Sequence, residues 1–144
     1  MSALPRIPIR VESAPPDPGF GTIGGGVEAV LVEIATLLDR VAAGGEPGAI
    51  DLRSLPISPS EHLQLADALG QGELTITLEA EGRSTLRETG IRGVWWNEYR
   101  DPNDEVVAVF IEVAKVPAIV PAEPGDLQSG AHALRANIKR RRDT

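Results

Sequence analysis

The sequence predicts an α+β domain: an antiparallel meander of three to four strands with about three helices packed mainly on one face. Three observations carry that expectation. Apolar residues recur every three or four positions from Val27 to Val41, the period switches to two from Glu73 to Ala80, and short polar turns separate the strands that follow. With 144 residues, 42% hydrophobic and 24% charged, the chain is long enough for one real core and ordinary in composition for a globular domain.

Residues 1–25 read as a mobile N-terminal segment, with Pro5, Pro8, Pro15, Pro16 and Pro18 followed by Gly19, Gly21 and Gly24 to Gly26. Residues 26–144 then form a single α+β domain. "GTIGGG" has the glycines of a phosphate-cradling loop but neither a strand before it nor a Lys-Ser/Thr after it. Val27, Val30, Leu31, Ile34, Leu37, Leu38 and Val41 mark the first helix, and Gly44-Gly45 stops it. "AIDL" is able to form a short strand. Ser58-Pro59-Ser60-Glu61 is a capping box with proline at the first helical position, and Gly70 or Gly72 ends that helix.

In "ELTITLEA", Leu74, Ile76, Leu78 and Ala80 alternate with Glu73, Thr75, Thr77 and Glu79. "EGR" turns the chain into a more polar strand, "STLRETG". Residues 91–99 form the next strand, and "RDPNDE" leads into the nearly continuous apolar run "VVAVFIEVAK". The Pro-rich stretch after Lys115 runs extended. Asp126 is expected to cap a last helix with Leu127, Ala131, Leu134 and Ile138 along one stripe and a basic final turn matched to the helix dipole.

Charge and composition exclude several functions. The net charge is −7, and because Lys139 to Arg142 with Asp143 carry +3, residues 1–138 carry −10. A duplex-binding surface needs clustered cations on the body, so no nucleic-acid partner is expected. With no cysteine, thiolate catalysis, Cys-ligated zinc and Cys-held clusters are absent. His62 and His132 stand alone on predicted helices, without the spacing of a zinc motif. No metal or cofactor is therefore expected. The N-terminus lacks the apolar core of a signal peptide and no run is long enough to span a membrane, which predicts a cytoplasmic chain without membrane contact.

Three of the five aromatic residues, Trp95, Trp96 and Tyr99, fall within five positions of "GIRGVWWNEYRD". On a strand, adjacent tryptophans point to opposite faces. One is core. The other packs under a loop or anchors a partner, as tryptophan does at interface hot spots. The charged neighbours Arg92 and Glu98 select Trp96 as the outward member, and Arg92, Trp96, Glu98 and Tyr99 as the candidate partner-binding set. A homodimer through the outer sheet face, near Trp96 and Tyr99, is the expected self-contact. No catalytic constellation stands out, so the chain reads as a non-catalytic binding protein. The alternative is a small enzyme using Asp/Glu chemistry in a cleft beside the sheet.

Four stretches resemble a known family: "LPIS" (Leu55 to Ser58), "LGQGE" (Leu69 to Glu73), "TGIRGVW" (Thr89 to Trp95) and "EVAKVPAIVPAEPGDL" (Glu112 to Leu127). In order and spacing they are similar to the uptake-hydrogenase expression proteins of the HupH/HyaF family, over roughly residues 48–128. The resemblance implies an accessory, chaperone-like role in maturation of [NiFe] hydrogenase. It also implies a hydrogenase subunit precursor, the iron–sulfur small subunit above all, or other maturation proteins as partners. It brings no catalytic residues. It further implies two related copies of the unit in tandem, whereas this chain holds one.

Overall fold

The computed structural model describes residues 24–144; the expected mobility of the N-terminal segment falls, up to residue 23, outside them. The elements run α1 (Gly25–Ala42), β1 (Gly48–Asp51), a 3-10 turn (Leu52–Ser54), α2 (Pro59–Leu69), β2 (Thr75–Ala80), β3 (Gly82–Glu88), β4 (Val94–Arg100), β5 (Val106–Val113) and α3 (Pro124–Arg142). This is the expected α+β fold with five strands in place of three to four. β2 to β5 form the meander, and β1 extends it beyond β5 in the order β1-β5-β4-β3-β2, every pair antiparallel.

Local chemistry sets most boundaries. Ser58 Oγ accepts from the Glu61 amide at 3.2 Å and the Glu61 carboxylate accepts from the Ser58 amide at 3.0 Å, which closes the capping box with Pro59 in the first turn. Gly70, at φ 70°, ends α2 in a conformation that L side chains disfavour. The turn between β4 and β5 is organised by Asp101, whose Oδ1 accepts from the amides of Asn103 (2.9 Å) and Glu105 (3.0 Å). The described glycines of that stretch, Gly24 to Gly26, form no phosphate cradle. A Cβ on Gly24 or Gly26 would lie within about 3.0 Å of Glu61 Oε2, so a carboxylate already occupies the α1 N-terminus.

α1 and α2 cover β1, β5 and β4. Val27, Val30 and Ile34 of α1 and Leu65 and Leu69 of α2 meet Ile50, Leu52, Val94, Ile111 and Val113, with Trp96 and Val109 packed against them. Beyond that cover the same face is polar, with Thr75, Thr77 and Glu79 of β2 exposed and opposite Arg87, Thr85 and Arg83 of β3.

Two expectations about packing fail. The first concerns the tryptophans. Trp96 lies opposite Ile111 and packs half-buried against the helical core, whereas Trp95 is only 2% exposed on the face away from the helices. Trp96 is thus not the outward member. Around Trp95 the far face is closed by the chain itself. After β5, residues 114–118 fold back so that Trp95 Nε1 donates to the Ala114 carbonyl at 3.2 Å. The Ala118 amide donates to the carboxylate of Glu112, the cross-strand partner of Trp95, at 2.9 Å. Pro117 is fully buried there, and Leu86 and Asn97 complete this second layer. The charges that suggested an outward Trp96 belong elsewhere: Arg92 precedes the strand, which begins at Val94 and not at residue 91, and Glu98 pairs with Arg100 at 2.9 Å.

The second concerns α3. It begins at Glu123, with Pro124 in its first turn, while Asp126 is the third helical residue and accepts from the Glu123 amide at 3.4 Å. Asp126 supports the cap rather than being it. No residue of α3 is buried, so among the described residues α1 and α2 are the helices that pack on the sheet. Leu127, Leu134 and Ile138 of the apolar stripe of α3 are each more than half exposed.

Trp95→Ala is expected to cost about 3–5 kcal/mol in urea unfolding, since it empties a buried site and orphans a carbonyl. Trp96→Ala, at a half-buried site, should cost roughly half as much. Equal losses would show that the two faces of the sheet contribute alike.

Candidate functional site

One end of the sheet gathers the segments that leave and enter its central strands. Thr89 is buried, and its hydroxyl donates to the carbonyls of Val94 (2.9 Å) and Ile91 (3.1 Å), folding residues 89–93 into a tight loop. Gly93 completes the turn at φ 90°. The Gly90 amide donates to Leu69 O at the end of α2, and the Gly72 amide donates to Glu88 O, both at 2.9 Å. A Cβ on Gly72 would stand 2.3 Å from Thr89 O, so this approach admits only glycine. On the other side the Ala114 amide donates to Gly93 O at 2.9 Å. Thus "LGQGE", "TGIRGVW" and the start of "EVAKVP" are hydrogen-bonded to one another.

Arg92, at the tip of this loop, stands between two concavities. One is a cleft of about 350 Å³ lined by residues 71–74, Glu88, Thr89, Gly90 and Arg92. Glu88 is its buried acid, with a side chain 4% exposed and held by Arg92 Nε at 3.2 Å, whereas Arg92 itself is 87% exposed. The other is an apolar groove. Leu38, Val41 and Ala42 at the end of α1, Gly93, and residues 113–116 line two adjoining hollows of about 250 and 260 Å³, with Arg92 and Lys115 as the cations along it. Val116 is 39% exposed at its edge.

Of the predicted set, only Arg92 belongs here. Trp96 and Glu98 lie further along β4 on the helix side, and Tyr99 lies on the opposite side, where its ring meets Phe110 edge-on at 6.1 Å. The four do not form one surface. Sequence reasoning did not pick out the groove residues Leu38, Val41, Ala114 and Lys115. The signal available was the glycine at position 93 and the apolar run that continues past the end of β5.

On the far face, besides Ser84 and Glu88, the polar groups are Asn97, Glu112 and Tyr99. Asn97 Nδ2 donates to Glu112 Oε1 at 2.7 Å, while its buried Oδ1 finds no partner among the described residues. Burial first, and the nearby charge of Glu112 second, push the Tyr99 phenol above its ordinary range, against a lowering contribution from its hydrogen bond to Asn97. Among the described residues no three His, Asp or Glu side chains cluster as a metal site requires, and no helix is long and apolar enough to cross a membrane.

Tyr99 is the only tyrosine, so its titration is directly readable at 295 nm. It should ionise above pH 10, later than free tyrosine. Because the folded protein then retains a proton that the unfolded chain has lost, stability should fall as pH rises beyond about 10. A phenol ionising below 10 in the folded protein contradicts the burial assigned to it.

The geometry can be set beside known proteins. The hydrogenase expression/formation protein HoxQ of Azotobacter vinelandii is 32% identical over 108 residues, which cover 74% of this chain and 38% of that protein. The hydrogenase-1 operon protein HyaF of Escherichia coli is 33% identical over 89 residues, 62% of this chain and 31% of that one. The chain therefore spans between about a third and two fifths of the length of these two relatives. The solved structure of the hydrogenase expression protein HupH from Thiobacillus denitrificans superposes with a TM-score of 0.75 at 38% identity, over 81% of this chain and 97% of that one. Residues 26–140 match the conserved C-terminal region of the HupH hydrogenase expression proteins, and the chain belongs to that family.

Proposed function

We propose that this chain is a non-catalytic accessory protein of [NiFe] hydrogenase maturation and that it holds a hydrogenase subunit precursor, the small subunit in preference, in the groove beside Arg92. The observation that carries the reading is the groove itself. It is an open apolar trough flanked by two exposed cations, made where three of the family-like stretches are tied together. An extended client segment with apolar residues and a neighbouring acid suits that lining. The names of the relatives, all expression, formation or operon proteins of hydrogenases, supply the client class.

The enzymatic alternative draws on one observation, the cleft holding buried Glu88 with Glu73 at its lining. Glu88, however, is engaged by Arg92, a pairing that suits a structural role.

Lys115→Glu and Val116→Asp change exposed groove positions. Each is expected to lower recovery of tagged chain with precursor from hydrogen-grown cells about tenfold, equivalent to about 1.4 kcal/mol, with an unchanged melting curve. Undiminished recovery would remove the groove from the binding surface. Glu88→Gln separates the two classes. In a strain lacking the native chain it should support full hydrogenase formation, and complete loss with a stably folded variant would favour chemistry at Glu88.

A further inference from the structure

α3 is a helix without a tertiary reason to be amphipathic. Leu127, Leu134 and Ile138 are 65%, 64% and 54% exposed, and with Ala131 they repeat at intervals of four, three and four. That spacing is the seam of a two-helix coiled coil, with Leu at one core position and Ala or Ile at the other. The charges are placed symmetrically about it. Asp126 lies one residue before Leu127 and Lys139 one after Ile138; Glu123 lies four before and Arg142 four after.

We propose that α3 is a self-association helix whose occupant is α3 of a second copy, packed antiparallel. In the register that sets Leu127 opposite the partner's Ile138, Ala131 meets the partner's Leu134, a small residue against a large one. Asp126 is then level with the partner's Lys139 and Glu123 with the partner's Arg142. The acidic first turn and basic last turn of each helix meet their opposites, and the two helix dipoles oppose. A parallel pair would instead bring two sets of Lys139 to Arg142 side by side, a repulsion the stripe cannot offset. The expected homodimer thus forms away from the sheet, whose far face residues 114–118 cover around Trp95. A seam of three turns, about 16 Å long, is smaller than a standard interface, so the dimer dissociates in roughly the micromolar range.

The absence of cysteine makes the test clean. Sedimentation of the full chain between about 1 and 500 µM should show a monomer passing to a dimer, and Leu134→Glu should abolish the dimer without changing the melting curve. Leu63→Glu, at an exposed α2 position (73%), should leave it intact. Leu127→Cys mixed with Ile138→Cys should form a disulfide-linked heterodimer on mild oxidation, whereas either variant alone should not cross-link, since like positions lie about 16 Å apart. A monomer throughout the range overturns the proposal. So does a dimer that survives Leu134→Glu, or one that Leu63→Glu also abolishes. Ready cross-linking of Leu127→Cys to itself overturns the antiparallel arrangement.

Discussion

A strand cannot send two successive side chains to the same side, and β4 carries Trp95 and Trp96 in succession. That single constraint obliges the sheet to bury both of its faces. The helices satisfy one, taking Trp96 into the layer formed by α1, α2 and the inner residues of β1 and β5. The other is satisfied without any helix. The chain leaving β5 turns back over Trp95, which anchors it by donating its indole N–H to Ala114 O. Glu112, directly across from Trp95, is bound by Asn97 on one side and by the Ala118 amide on the other, so the polar groups this fold-back buries are largely paired.

The fold-back also shapes the candidate site. Because residues 114–116 must cross from one face of the sheet to the other, they pass the end of α1 and the Gly93 turn without filling the space between them. The groove is that unfilled space. Its walls are fixed by backbone hydrogen bonds and by a glycine whose neighbours leave no room for a Cβ, Gly45, where it would stand 2.8 Å from the Arg40 carbonyl oxygen. Such walls are rigid, and a rigid apolar trough lowers the ordering cost of a bound segment. Arg92 is held over Glu88 by an ion pair with one buried partner and one exposed one. It is therefore positioned from beneath while its guanidinium remains open to a ligand.

α3 stands apart from this economy of contacts. It is stabilised by its own sequence, through the Glu123–Asp126 cap, Pro124 in the first turn and cations in the last. The body gains nothing from it that burial records. A helix built locally but patterned for packing is understandable as one half of an interface, which is the physical content of the self-association inference.

Periodicity and caps in the sequence by themselves determined the α+β class, the meander, the capping box at Ser58 and the glycine stops at Gly44 and Gly70. Each of these is settled by interactions within a few residues. The tryptophan alternation was equally legible, because strand geometry leaves no choice. What the tertiary structure decided is which face each tryptophan took, that α3 stays off the body, that β1 pairs with β5, and where a groove opens. Of the candidate site only Arg92 was named in advance, since Leu38, Val41, Ala114 and Lys115 become neighbours only when α1, β5 and the β3–β4 loop meet. The sides of a strand are chemically equivalent until something distant covers one of them, and no local pattern in β4 records that the cover on one side is a helix and on the other the chain's own return.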